Sequence, residues 1–308
     1  MAEEMNETER YYREAINDPY KCMETVKKAP WSIRYAKEQT LELCMEAVQN
    51  DGEVLAYVKE QTPEICMAAV DSNGLALEYV KEQTPEICMA AVDSNGLALK
   101  HVKEQTPEIC MAAVKNSGWA LEYVKEQTPE ICTAAVKNIE WALEYVKEQT
   151  PDICMAAINS NGLALQYVKE QTPDICMAAV KNSGWALEYV KEQTPEICMA
   201  AVQENFRAIR FVKEQTPEVC MTAVNESAKA LQYIEHQTPE MFIAAMKHDS
   251  RAVNYISEEC AKSLINNVEK RISNGQAVKP EEYYAYQNLT AELEPINSEV
   301  DMNEDFEM

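Results

Sequence analysis

The residues of this chain with the most chemistry to offer are its eleven cysteines, and ten of them recur every 22 positions. They are Cys22, Cys44, Cys66, Cys88, Cys110, Cys132, Cys154, Cys176, Cys198 and Cys220; Cys260 stands outside the series. Thiols in register could make disulfides or bind metal. A disulfide needs Cα atoms within about 7 Å, and tetrahedral zinc needs sulfurs about 2.3 Å from one ion. Equivalent residues on stacked helices lie roughly 8–10 Å apart, and no Cys-X-X-Cys pair occurs. A row of isolated thiols fits neither geometry. Cysteine is read here as a small core residue, which suits a reducing compartment.

The other reactive side chains form no constellation. His101 replaces a tyrosine of the repeat, while His236 and His248 sit on polar positions away from any nucleophile. There is no His-Glu-X-X-His and no glycine-rich phosphate loop. The chain therefore offers no catalytic residue, no metal site and no cofactor site, and a non-enzymatic protein is expected. A methionine follows most of the cysteines (Met67, Met89, Met111, Met155, Met177, Met199), with Thr133 once in its place, and packing between neighbouring repeats is its expected role. Lysines form a second row from Lys37 through Lys213, each followed by a glutamate. Mixed charge of that kind marks a solvated face with modest ion pairs; the alternative is a track for an extended acidic ligand.

What positions these rows is a repeat. Thr-Pro-Glu/Asp-Ile-Cys returns at a step of 22 from Thr40 to Thr238, and Asp18-Pro19 lies one step earlier, so eleven units span residues 18–259. In the unit at Thr172, threonine reads as an N-cap, proline as the first helical residue and aspartate as the complement of the helix dipole. Helix A then runs through Ile-Cys-Met-Ala-Ala-Val, with Ile175, Cys176, Ala179 and Val180 on one face. Asn-Ser-Gly is expected to end it, glycine taking the left-handed conformation. Helix B is expected over Trp-Ala-Leu-Glu-Tyr-Val-Lys-Glu-Gln, with Ala186, Leu187 and Val190 inward, until the next Thr-Pro stops it. Helices this short are marginal alone, so stacking must stabilise them. The fold class is all-α, a tandem-repeat α-solenoid of short helix pairs.

Residues 1–17 read as an N-terminal capping helix with Tyr11, Tyr12 and Ile16 inward, and residues 260–293 as C-terminal capping helices. Residues 294–308 hold six acidic and no basic side chains and read as a loose acidic tail. The first 17 residues carry five glutamates and lack the apolar stretch of a signal peptide. No run approaches the ~18 apolar residues of a membrane helix, so a cytoplasmic location is expected. The net charge of −24 repels phosphates and disfavours nucleic acid.

The string Val-Lys-Glu-Gln-Thr-Pro-Glu-Ile-Cys-Met-Ala-Ala-Val, followed by Gly-Trp or Gly-Leu and Ala-Leu-Glu-Tyr, resembles the short two-helix repeat of unknown function found in proteins of bacteria, phages and giant viruses of amoebae. The resemblance covers residues 18–259 and is strongest from Thr62 to Gln193. Leu41 departs from its proline, Phe242 from its cysteine, and the segments after Asn205 lose the Gly-Trp/Leu start. It implies no activity and no site residues. Its viral and phage members make host manipulation one role to consider.

One place varies while the rest repeats. The first residue of helix B is Trp31, Glu53, Leu75, Leu97, Trp119, Trp141, Leu163, Trp185, Arg207, Lys229 and Arg251. A place that accepts Glu, Arg and Lys is not deeply buried. Its apolar members then form a stripe through Leu75, Leu97, Trp119, Trp141, Leu163 and Trp185 that gives way to a basic patch of Arg207, Lys229 and Arg251, enlarged by Arg210. Such a stripe suits a protein partner; the competing reading folds Trp and Leu over the adjacent tyrosines as edge packing. The expected function is a protein-binding scaffold, an inhibitor of a host protein among its forms. The alternative is a small-ligand-sequestering solenoid with pockets between repeats. Neither the partner nor the oligomeric state is set by the sequence.

The core reading of the cysteines has a direct check. Native protein should react slowly with a thiol reagent, and denatured protein should expose all eleven thiols. Rapid native labelling of most thiols, or zinc in elemental analysis, would overturn it.

Overall fold

Each repeat begins as the cap residues require. In the computed structural model, which describes residues 7–300 with side chains through residue 291, Thr62 Oγ1 accepts a hydrogen bond from the Ile65 amide at 3.4 Å. The contact recurs at Thr84, Thr106, Thr128, Thr172, Thr194, Thr216 and Thr238. Proline opens the helix at no cost in hydrogen bonds. The Glu64 carboxylate, held by its own backbone N–H and then by the Thr62 hydroxyl, titrates below the usual carboxylate range. The ten-residue α-helix Pro63–Ser72 buries Ile65, Cys66, Ala69 and Val70; the next four follow at Pro85–Ser94, Pro107–Asn116, Pro129–Asn138 and Pro151–Ser160.

The helix ends differently from the expectation. Asn73 is extended, with φ −149° and ψ 110°, and its N–H still donates to the Ala69 carbonyl while its side chain accepts from the Leu75 amide. No repeat glycine takes a positive φ; among the described residues only Gly275 does, at 68°. Glycine serves proximity instead. A Cβ on Gly74 would lie 2.3 Å from the Ala91 carbonyl of the following repeat, and one on Gly96 would lie 2.5 Å from the Ala113 carbonyl. The backbones of consecutive repeats touch there, and a side chain would push them apart.

Helix B is also corrected. It is a six-residue 3-10 helix, Gly74–Tyr79 in the Thr62 repeat, and its C-terminal neighbour Val80 is already extended. Lys-Glu-Gln is not helical. The core residues Ala76, Leu77 and Val80 are spaced so that a period of 3.0 serves them as well as 3.6.

The glutamine before each threonine explains where that helix stops. Gln61 Nε2 donates to Leu55 O of its own repeat and to Tyr79 O of the next, at 3.3 and 2.9 Å, and its Oε1 accepts from the Lys81 amide at 3.0 Å. Gln83, Gln105, Gln127, Gln171, Gln193 and Gln215 repeat all three contacts. The backbone groups that a longer helix would satisfy internally are met by a side chain from the repeat before. Asn17 takes this part at the start, donating to Tyr35 O and accepting from the Lys37 amide. The exposed lysine row is a second ladder: Lys81 Nζ donates to Lys59 O at 2.8 Å, and Lys103, Lys125, Lys147, Lys191 and Lys213 do the same one repeat back. The ammonium is directed to a backbone carbonyl rather than to the adjacent glutamate.

The chain forms two compact bodies, Met1–Ser160 and Asn161–Met308. In the first, the α-helices from Cys22–Lys28 to Pro151–Ser160 make one layer, each packed on the next, and the 3-10 segments from Pro30–Tyr35 to Glu140–Tyr145 make the other. The second repeats this plan from Gly162–Tyr167 to Ser250–Tyr255. The core lies between the layers, lined by Ile, Cys, Ala, Val and Leu. All-α repeat packing is thus the architecture, and no strand occurs among the described residues.

At the N-terminal end, Glu7–Ala15 lies against Pro30–Tyr35. Ile16 is buried and Tyr12 meets Trp31 edge-on at 5.0 Å, but Tyr11 is 65% exposed, against the expectation. At the other end Glu258–Ser273, capped by Ser257, and Pro280–Val300 pack on Pro239–His248. Helix therefore continues into residues expected as tail; residues 301–308 of that tail lie outside the described residues.

Removing one glutamine should loosen one junction. Gln105→Ala leaves Tyr123 O and the Lys125 amide without their partner and Leu99 O with the Val102 amide alone, and should cost about 1–3 kcal/mol. The expected result is a lower melting temperature with faster hydrogen exchange at the Lys125 amide. Unchanged exchange there would contradict the clamp.

Candidate interaction surface

The variable place is the second residue of each 3-10 segment; a cap side chain holds its amide in six of the repeats named next, whereas the segments of Trp31, Trp119, Trp141 and Trp185 have no such cap. The Leu75, Leu97 and Leu163 amides donate to Asn73, Asn95 and Asn161 side chains, and the Arg207, Lys229 and Arg251 amides to Asn205, Ser227 and Asp249. With the amide fixed, the side chain leaves the core. None of the eleven is buried. Leu75, Leu97, Leu163 and Trp185 are half-buried, Trp119 and Trp141 are 38% and 41% exposed, and Arg207, Lys229 and Arg251 are exposed.

Edge packing and exposure coexist. Trp119 meets Tyr145 of the next repeat in an edge-to-face contact at 5.9 Å, and Trp185 meets Phe211 likewise at 5.7 Å. Trp141 Nε1 donates to Glu140 Oε1 at 2.8 Å. A tryptophan propped on one edge loses little freedom on contact with a second molecule, a property of anchor residues.

The row divides between the two bodies. The first holds Leu75, Leu97, Trp119 and Trp141, and the second Leu163, Trp185, Arg207, Lys229 and Arg251. The basic end is weaker than its composition suggests. Arg251 makes a two-pronged pair with Asp249, Nε to Oδ1 at 3.0 Å and Nη2 to Oδ2 at 2.8 Å. Positive charge without a carboxylate beside it rests on Arg207 and Arg210, whose guanidinium carbons lie 4.8 Å from the Phe206 ring and 5.4 Å from the Tyr233 ring.

The tyrosine row beside this place, expected as edge packing for Trp and Leu, also carries carboxylates that the sequence reading did not single out. Tyr79, Tyr123 and Tyr145 end their 3-10 segments half-buried, with carboxylates alongside. Glu78 first, then burial and Glu53, raise the Tyr79 hydroxyl pKa; burial first, then Glu122, raises those of Tyr123 and Tyr145. The available signal was the residue before each terminal aromatic or His101, which varies among Glu, Arg, Lys, Gln, Asn and Ala as freely as the place already singled out.

The thiols lie elsewhere. Apart from the half-buried Cys22, they are buried. Cys66 Sγ points to Gln61 Oε1 at 3.8 Å, a contact repeated at 3.6–3.8 Å through Cys198. Burial raises the thiol pKa values of Cys44, Cys66, Cys88, Cys110, Cys132, Cys176 and Cys198, and takes those of Cys220 and Cys260 to about 11. Small clefts of about 190–200 Å³ open beside Cys132, Cys176 and Cys198 between repeats. The methionines are half-buried on the outer side of the α-layer, where Met45 and Met67 line a groove of about 740 Å³. Among the described residues no three His, Cys, Asp or Glu side chains converge as a metal site, and no helix is long and apolar enough to cross a membrane.

These features define a tandem helical-repeat protein whose variable side chains gather on the 3-10 layer. The chain belongs to the family described as a domain of unknown function (DUF4116), whose model matches residues 40–84, 62–105, 84–128, 150–193 and 172–216, together half of the sequence. No curated protein and no solved structure matches it.

His101 tests the tyrosine ladder. It stands where other repeats carry Tyr, its Nε2 buried without a hydrogen bond and 3.9 Å from a Glu78 oxygen. Burial first, then Lys100, holds its pKa below the ordinary histidine value of about 6.5. A depressed folded pKa means that the unfolded chain takes the proton first, so stability falls as pH drops below about 6.5 toward the folded value. His101→Tyr should raise the melting temperature, and its advantage should widen on acidification through that window. A constant difference across pH would refute the linkage.

Proposed function

We propose that this chain is a non-enzymatic, cytoplasmic scaffold that binds a protein partner on the 3-10 layer. One observation supports the reading above the rest. The residues that hold repeats together are nearly invariant, whereas large apolar and charged side chains that vary from repeat to repeat are concentrated at the outward 3-10 positions. Stacking accounts for the shared residues and leaves Trp119 and Trp141 more than a third exposed. A partner that reads differences between repeats meets apolar anchors in the first body, and Trp185 beside Arg207 and Arg210 in the second. An inhibitor of a host protein is one form such a scaffold takes.

The test compares the parent with two variants in affinity capture from the native host, followed by mass spectrometry. Trp119→Ala/Trp141→Ala/Trp185→Ala should lose a protein that the parent retains, with faster dissociation of the purified complex. Arg207→Glu/Arg210→Glu should mainly slow association at low salt. If both folded variants retain every partner of the parent, the 3-10 row is edge packing.

Small-ligand sequestration is a second reading, supported by the recurrence of near-identical clefts beside Cys132, Cys176 and Cys198. A calorimetric stoichiometry of several equivalent ligands per chain would favour it over one partner.

A further inference from the structure

The repeats display one surface feature with and without an occupant. In several repeats the residue before the aromatic that ends the 3-10 segment lies near the aromatic of the following repeat, 23 positions on. Arg34 stands in this place in the first body, and its guanidinium carbon lies 5.7 Å from the Tyr57 ring centroid. Arg210 stands in it in the second body, 5.4 Å from the Tyr233 ring. Two separate repeats thus show a guanidinium over that ring, within cation–π range.

Where the place is glutamate, the ring keeps its face and gains a carboxylate. Glu78 turns to His101, 3.9 Å away. Glu122 lies near Tyr145, as does Glu144, and both raise its hydroxyl pKa after burial. Trp119 borders the same ring at 5.9 Å and is itself exposed. Among the described residues no arginine or lysine stacks on Tyr145. This seat combines two aromatic surfaces with two exposed carboxylates, on a chain of net charge −24.

We infer that Trp119, Glu122, Glu144 and Tyr145 form a binding seat for an arginine side chain presented by a partner polypeptide. The inference rests on the 3-10 layer being the partner surface, and it names the chemistry the first body reads. Arginine is favoured over lysine because its planar, weakly hydrated guanidinium stacks on a ring while donating in plane to carboxylates. The internal arginines that occupy the equivalent place elsewhere are the template for it.

The test is calorimetric titration of the full chain with three capped peptides of alternating glycine and X, where X is arginine, lysine or citrulline. The arginine peptide should bind, the lysine peptide about fivefold more weakly, and the uncharged citrulline peptide without detectable heat. Glu122→Gln/Glu144→Gln should weaken the arginine peptide by about tenfold, whereas the charge-matched Glu82→Gln/Glu126→Gln should change it by less than about twofold. Circular dichroism should show both variants folded, because the four glutamates are exposed. Equal binding of arginine and lysine peptides with equal losses in the two variants would reduce the effect to net charge and overturn the seat. Absence of arginine-peptide binding would overturn it too. Loss of a captured partner in the tryptophan variant, beside a silent arginine titration, would leave the partner surface standing and remove only this seat.

Discussion

A primary amide with two donors and one acceptor is the interaction on which the rest of this structure depends. Within each of the two bodies, repeat glutamines such as Gln105 reach the end of their own 3-10 segment, the end of the next one and the backbone just beyond it. Without Gln105, the Tyr123 carbonyl and the Lys125 amide would lack a partner, while Leu99 O would keep only the Val102 amide, and buried backbone groups rarely go unpaired. With it, a six-residue 3-10 helix can stop cleanly and the chain can turn into the next cap. The glutamine also faces the buried thiol through its oxygen, so the cysteine row and the glutamine row are two sides of one junction.

Close contact across the junction follows from residue size. Fully buried alanines keep the α-layer slim, and glycine faces a carbonyl at the start of the 3-10 segment. Repeats that abandon the glycine carry Pro30, Glu140, Phe206, Ala228 or Ser250 there. The lysine ladder adds a contact along the rim but exposes its charge, so its energetic weight is small beside the buried amides. Variation is thereby driven outward, to side chains that take no part in the glutamine clamp.

The α-helices were legible because cap, proline, acidic first turn and apolar face all agree over ten residues. Helix B was not, because Ala186, Leu187 and Val190 satisfy a period of three as well as 3.6 over so short a span. The glycines were read as conformational when they are spatial; only the backbone of the next repeat reveals the difference. The glutamine clamp was invisible for a related reason, since its partners are backbone atoms that every residue possesses. Exposure at the first positions of helix B was readable from the tolerance of that place for charge, and Trp119 and Trp141 bear this out. The pairing of Arg251 with Asp249 was open to inspection two residues away, yet a side chain's choice between a near neighbour and solvent is not written in spacing alone.

Every junction contact joins residues separated by a fixed interval: 18 and 20 for the glutamine, 22 for the lysine. Gain or loss of one whole repeat leaves those intervals intact at both sides of the seam. An insertion of 21 or 23 residues would disrupt them at its edges. Recombination between near-identical stretches of the coding sequence moves in whole repeats, so its products inherit working junctions without a period of repair. Chain length in such a protein is therefore open to rapid change, and new combinations of surface side chains can be sampled while the scaffold stays the same.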